Sequence, residues 1–233
     1  MRPSWSRYAA AAGCLLLALA GASAARPLDA AGGGGSNPAE APWFCHDLEC
    51  PKYKVVENMT DIGIEHRQYP VAKWVTTVVE GKSYDSAVAA GFWRLFKYIS
   101  GNNKDAAKVD MTAPVTVKVK PGQGPACKDE FTISFFIPFE HQASPPQPSD
   151  DAVVIESRPA LDVYVAAFGG WAKGSTYLQH AADAGDALED KGLKIDSGFF
   201  YTAGYDSPFR LTNRHNEVWL PVAGDAAAGV AES

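Results

Sequence analysis

Ile64-Glu65-His66-Arg67 and Ile155-Glu156-Ser157-Arg158 share the pattern Ile-Glu-x-Arg at an offset of 91 residues. Each opens the same succession of a strand, a helical stretch and two further strands, over residues 64–138 and 155–222. The strands are read from period-two alternation. Met111, Ala113, Val115, Val117 and Val119 share one face, and Thr112, Thr116 and Lys118 share the other. Phe131, Ile133, Phe135 and Ile137 alternate with Thr132 and Ser134, and Leu161, Val163, Val165 and Ala167 form another apolar face. Residues 71–79, 199–205 and 218–222 read as further strands. A helix is predicted over 84–100, between Ser83 as N-cap and Gly101 as stop. A second is predicted over 175–191, ending at Gly192, with Tyr177, Ala181, Ala184 and Leu188 inward and Asp183, Asp186, Glu189 and Asp190 in solvent. Two β-α-β-β repeats of this kind pair into one mostly antiparallel sheet or barrel carrying two helices, an α+β fold.

Outside the repeats the composition changes. Residues 25–41 contain Gly32-Gly33-Gly34-Gly35-Ser36 and read as a flexible linker, and residues 224–233 as a flexible tail. A domain over 42–223 lies between them. Residues 1–24 have the form of a secretory signal peptide: Arg2 and Arg7, an apolar run from Ala9 to Ala20, and Ala22-Ser23-Ala24 as cleavage site. The run is short of the ~20 residues of a spanning helix, so the expectation is a secreted, extracellular protein with no membrane span. The net charge of −6 becomes −8 without Arg2 and Arg7. Such a chain is a poor partner for nucleic acid, which needs clustered Lys and Arg.

In an oxidising compartment two of Cys45, Cys50 and Cys127 are expected to pair. The expectation is Cys45 with Cys50, a bridge of Cys127 to either being the rival. Asn58-Met59-Thr60 is a sequon, which makes Asn58 the candidate glycosylation site. Gly-x-Ser-x-Gly, His-Glu-x-x-His and a phosphate loop are absent from the sequence, so the chain does not read as an enzyme.

The first helix carries more apolar surface than one core requires. On a helical wheel, Tyr84, Val88, Gly91, Leu95 and Ile99 form a stripe toward the sheet. Ala89, Phe92, Trp93 and Phe96 form a second beside it, bordered by Lys97. The apolar arc spans roughly 200°, against the ~100° of an ordinary amphipathic helix. The Pro-rich 139–150 loop is one candidate cover. A flat apolar ligand on Phe92, Trp93 and Phe96, with Lys97 meeting an acidic group, is the other.

Further segments carry a family resemblance: Tyr69-Pro70-Val71-Ala72-Lys73-Trp74, Met111-Thr112-Ala113-Pro114-Val115, Pro145-Pro146-Gln147-Pro148-Ser149-Asp150, Phe168-Gly169-Gly170, Tyr201-Thr202-Ala203-Gly204-Tyr205-Asp206-Ser207-Pro208 and Asn216-Glu217-Val218-Trp219-Leu220. In these the chain resembles the SOUL/heme-binding protein family, over about 170 of its 233 residues. The resemblance implies a distorted antiparallel β-barrel of two β-α-β-β repeats flanked by two helices. It also implies non-covalent binding of heme or related porphyrins without turnover. It places Phe92 and Phe96 at apolar heme-side positions, and Lys97 and Arg210 at basic positions facing propionates. A third basic position falls on Ala89. The axial histidine of SOUL-type members falls on Gln68, which leaves His66, two residues earlier on the same strand face, as the axial candidate. Heme affinity is therefore expected to be low. The alternative is an extracellular protein-interaction module that kept the fold and lost the ligand.

Overall fold

The alternation resolves into one sheet with two helices on one face and the 42–53 segment over part of the other. The computed structural model describes residues 41–81, 83–120 and 129–224. The predicted leader, nearly all of the linker and tail, and Cys127 lie outside the described residues. Nine strands occur: β1 (Lys54–Met59), β2 (Ile64–Tyr69), β3 (Ala72–Glu80), β4 (Val115–Lys120), β5 (Glu130–Phe136), β6 (Val154–Arg158), β7 (Leu161–Gly169), β8 (Phe200–Gly204) and β9 (His215–Pro221). Helices α1 (Tyr84–Ile99) and α2 (Gly174–Asp190) interrupt them. Every strand pairing is antiparallel, and the order is β1-β2-β7-β9-β8-β4-β5-β3-β6. The sheet curls into a half-barrel, the α+β distorted barrel expected.

The repeat is real in the topology. Exchanging β2 with β6, β3 with β7, β4 with β8 and β5 with β9 reverses the order without changing it, which is a pseudo-two-fold axis between β4 and β8. Each repeat opens with a short strand, β2 or β6, formed by the Ile-Glu-x-Arg stretch itself, so its full content is β-β-α-β-β. β1 is an addition on the β2 edge.

Period two divides the side chains between the two faces. Ile64, Val75, Val117, Ile133, Phe135, Val218 and Leu220 point toward the helices and belong to the larger apolar core. Tyr69, Val163, Val165, Tyr201, Ala203, Tyr205 and Trp219 point the other way. There the 42–53 segment covers part of the inner face with Phe44, Cys45 and Cys50, and Cys45 and Cys50 form a disulfide, as expected. Helix α1 lies on β3 and β5, and α2 on β7 and β9. α1 approaches β5 closely at Gly91, where a Cβ would stand 2.7 Å from the Ile133 side chain. The helix ends where the chain turns into a left-handed residue, Gly101 at φ 107°.

Candidate functional site

Helix α1 buries one stripe and shows the other. Ala87, Gly91, Leu95, Tyr98 and Ile99 are buried against the sheet. Phe92 is half-buried and rests on Phe135 with ring centroids 5.3 Å apart. Trp93 stands 61% exposed and Phe96 39% exposed. The three rings touch one another: Phe92 and Phe96 are stacked at 5.9 Å, and Trp93 meets each of them edge-on at 5.6 Å. The result is one aromatic platform, fixed to the core through Phe92 and open above Trp93 and Phe96. Contiguous exposed rings of this kind mark a binding surface more than a solvated one.

The proline-rich loop does not cover it. Its buried residues Pro145 and Pro146 pack at the C-terminal end of the helix, where Tyr98 Oη donates to the Pro146 carbonyl at 2.7 Å. Burial pushes this tyrosine up to about 12. Lys97 borders the platform in the last helical turn, where its charge also complements the helix dipole. Among the described residues its ammonium has no ion-pair or hydrogen-bond partner.

Arg210 and His66 lie elsewhere. Arg210 sits in the β8–β9 loop, where its Nε donates to the carbonyls of Thr212 (3.1 Å) and Asn213 (3.3 Å) and lies 3.2 Å from Asp206. No contact among the described residues joins it to the platform. His66 shares a face of β2 with Gln68, as period two requires, and the His66 imidazole and the Gln68 amide both reach Asp162 of β7. Four strands separate β2 from β5 in the sheet, roughly 24 Å along it at about 4.8 Å per strand. The fold therefore brings Phe92, Trp93, Phe96 and Lys97 together and leaves Arg210 and His66 apart from them. The other histidines are no nearer in role: His46 pairs with Asp206, His141 with Glu140 and His215 with Glu217, while His180 stacks on Phe168.

The inner face holds a second constellation that the sequence did not announce. Arg67 is buried, and its guanidinium donates to Glu217 at 2.9 Å and to Glu65 at 2.8 Å. Glu217, fully buried, also accepts from Tyr205 Oη (2.7 Å) and Trp219 Nε1 (2.8 Å) and meets His215 Nε2 (2.8 Å). Burial alone would raise the Glu217 pKa, but Arg67 and the His215 and Trp219 hydrogen bonds hold it at about 2. On the partner side, burial would lower the Arg67 pKa, and Glu217 more than restores it. The repeated Arg was the available signal: the same Ile-Glu-x-Arg stretch places Arg158 at the matching point of β6, also buried.

A family model described as SOUL heme-binding protein matches residues 48–221. Heme-binding protein 2 of Mus musculus is 42% identical over 175 residues, covering 74% of this chain and 85% of that protein. Heme-binding protein 2 of Homo sapiens is 41% identical over the same length and shares. Heme-binding protein 1 of Xenopus laevis is 35% identical over 159 residues, 68% of this chain and 83% of that one. Among solved structures, the EcmrR C-terminal domain superposes with a TM-score of 0.53 at 10% identity, covering 73% of this chain and 97% of that one. That likeness concerns the fold alone.

Proposed function

The chain belongs to the SOUL heme-binding protein family, and from that premise we propose that it binds heme or a related porphyrin on the aromatic platform of α1, without turnover. The observation that carries this is the contact of Phe92, Trp93 and Phe96 in one open, core-anchored surface. A macrocycle laid on it is held by burial of apolar area, worth ~25 cal/mol per Å², and Lys97 meets a propionate by a charge-assisted contact. The residues present fit the organic part of heme better than its iron. Gln68 is bonded to Asp162, and His66 stands on a distant strand. Iron is therefore left without a histidine from the chain at this platform, and affinity falls in the micromolar range. Arg210 serves a propionate only if it leaves Asp206.

The proposal includes secretion. The disulfide between Cys45 and Cys50 and the exposure of Asn58 on edge strand β1 suit an oxidising, extracellular setting.

A second reading is an extracellular interaction module, with the same platform taking a protein. The absent axial histidine favours it. Hemin titration followed at the Soret band separates the two. Binding by the wild type that is abolished in Phe96→Asp, where a carboxylate replaces the ring under the macrocycle, is expected. Hemin binding unaffected by Phe96→Asp refutes the assigned platform, and no saturable binding at all leaves the interaction module in its place.

A further inference from the structure

Four exposed apolar side chains gather at the end of the sheet where β7 and β8 finish and β9 begins. Phe209 and Leu211, in the β8–β9 loop, are the two most exposed large apolar side chains among the described residues, at 89% and 76%. Trp171, in the turn from β7 to α2, and Trp43, ahead of β1, are exposed as well. Contacts between the segments bring the four together. The Arg214 guanidinium lies 4.1 Å over the Trp171 ring and donates to the carbonyls of Ser207 (2.8 Å) and Arg210 (2.7 Å), on either side of Phe209. Trp43 meets His215 edge-on with ring centroids 5.6 Å apart, and nearby His46 bonds Asp206 at 3.0 Å.

The loop that carries Phe209 and Leu211 is held in shape. The Asp206 carboxylate is buried, accepts from the His215 N–H at 2.6 Å and lies 3.2 Å from Arg210 Nε. The Phe209 N–H donates to Ser207 Oγ at 3.2 Å, and the Arg210 N–H to the Ser207 carbonyl at 3.0 Å. These bonds use much of the loop's hydrogen-bonding capacity internally, while its two large apolar side chains point into water. Polar backbone groups satisfied within the chain are what entry into an apolar phase requires.

The charge around the patch is the reverse of the chain's. Segments 42–46, 169–174 and 206–214 hold Lys173, Arg210 and Arg214 against one carboxylate, the buried Asp206, in a chain of net charge −6. Exposed Asp47 and Asp85 stand at the margin, Asp85 accepting from the Gly174 N–H at 3.1 Å. The shape separates two kinds of partner. A protein groove holds an apolar side chain where its walls match, and Phe209 projects almost entirely free of its own surroundings. Fluid acyl chains close around any such projection. Tryptophan suits the headgroup level of a bilayer, and cations beside it meet anionic headgroups.

We propose that this end of the molecule docks reversibly on a lipid bilayer bearing anionic headgroups. Phe209 and Leu211 enter the acyl boundary, Trp43 and Trp171 rest at headgroup level, and Lys173, Arg210 and Arg214 face the anionic headgroups. The aromatic platform of α1 takes no part, so docking is independent of porphyrin binding.

The test is flotation of the purified protein with vesicles of phosphatidylcholine containing about one-third phosphatidylserine, with pure phosphatidylcholine vesicles as the uncharged arm. Taking Phe209 or Leu211 out of water is worth about tenfold in partition apiece. The double variant Phe209→Glu, Leu211→Glu is therefore expected to bind the mixed vesicles at least tenfold more weakly, with its circular dichroism unchanged. Val71→Glu, at an exposed apolar position on the opposite end of the sheet, is expected to bind like the wild type. Pure phosphatidylcholine is expected to bind the wild type at least about fivefold more weakly than the mixed vesicles, and added salt to narrow that difference. A wild type that does not float with the mixed vesicles overturns the proposal. So does a folded double variant that floats like the wild type, an equal loss in Val71→Glu, or equal binding to the uncharged vesicles. A wild type that sediments as a dimer while the double variant is a monomer gives the patch to a second copy of the chain and overturns it as well. Should the double variant fail to fold, Phe209→Ser, with the same direction expected, decides in its place.

Discussion

Glu217→Gln should be among the most destabilising isosteric changes available to this protein. The carboxylate is fully buried, and it is the deeper of the two that face Arg67. Glutamine keeps the shape and can still accept from Tyr205 or Trp219, but it leaves the Arg67 guanidinium buried with only the half-exposed Glu65 as counter-charge. Removing one member of a buried ion pair is worth about 3–5 kcal/mol. The pH dependence supplies an independent figure. The Glu217 pKa falls from an ordinary 4.5 to about 2 on folding. A depressed carboxylate contributes its stability above the unfolded value and loses it as pH falls through the folded value. For this shift that is about 3 kcal/mol, lost between about pH 4.5 and pH 2. Urea denaturation of wild type and variant at pH 7, repeated down to pH 3, measures both. The variant should unfold at lower urea by about 3 kcal/mol at pH 7, with a shallower loss toward acid. Arg67→Met in the same chain should recover a good part of the loss, because it removes the stranded charge. A loss below about 1 kcal/mol at pH 7, or no recovery in the double variant, would refute the account of a paired charge in the inner face.

Other outcomes follow from the outer face and the edge strand. Gly91→Ala gains helix propensity of about 1 kcal/mol but drives a methyl to 2.7 Å from Ile133. Thermal unfolding should show net destabilisation, partly reversed by Ile133→Val. Lys97→Ala should weaken hemin binding about fivefold, the effect of one exposed charged contact of roughly 1 kcal/mol, as read from the Soret titration. Secreted material should carry a glycan on Asn58, seen as a mass shift that glycosidase removes and that is missing in Asn58→Gln.

The sequence disclosed the strands whose alternation is unbroken and the helices whose stops are glycines. β1 escaped it because Val55 and Val56 are adjacent and the pairing with β2 shifts between Val55 and Glu57, so the period-two signal is lost at a bulge. The strand read from Met111 begins in fact at Val115. Pro114 has no N–H to give the ladder, and Thr112 is held instead by its hydroxyl on the Phe136 carbonyl at 2.6 Å. The aromatic stripe of α1 was legible from the wheel, since three and four residues apart means touching on any helix. His66 shows the limit of such reasoning. Periodicity gives the face of a strand, and it did place His66 with Gln68. It does not give the strand's place in the sheet, and that place separates His66 from α1.

Glu217 marks the same limit more sharply. A glutamate on an apolar strand looks like a solvent position until its partner is known, and Arg67 is 150 residues away. Burial of a charge is decided by the other charge, so it is a property of topology rather than of local pattern. The repeat was the way through. Two halves that fold alike place two arginines alike, and any difference between them falls on the residues opposite. One arginine meets Glu217 and becomes part of the framework; the other meets the Ser134 hydroxyl and the half-buried Glu156. Arg158 keeps the half-buried Glu156 at 3.3 Å as its counter-charge, so of the two copies it is Arg67 that faces a fully buried carboxylate.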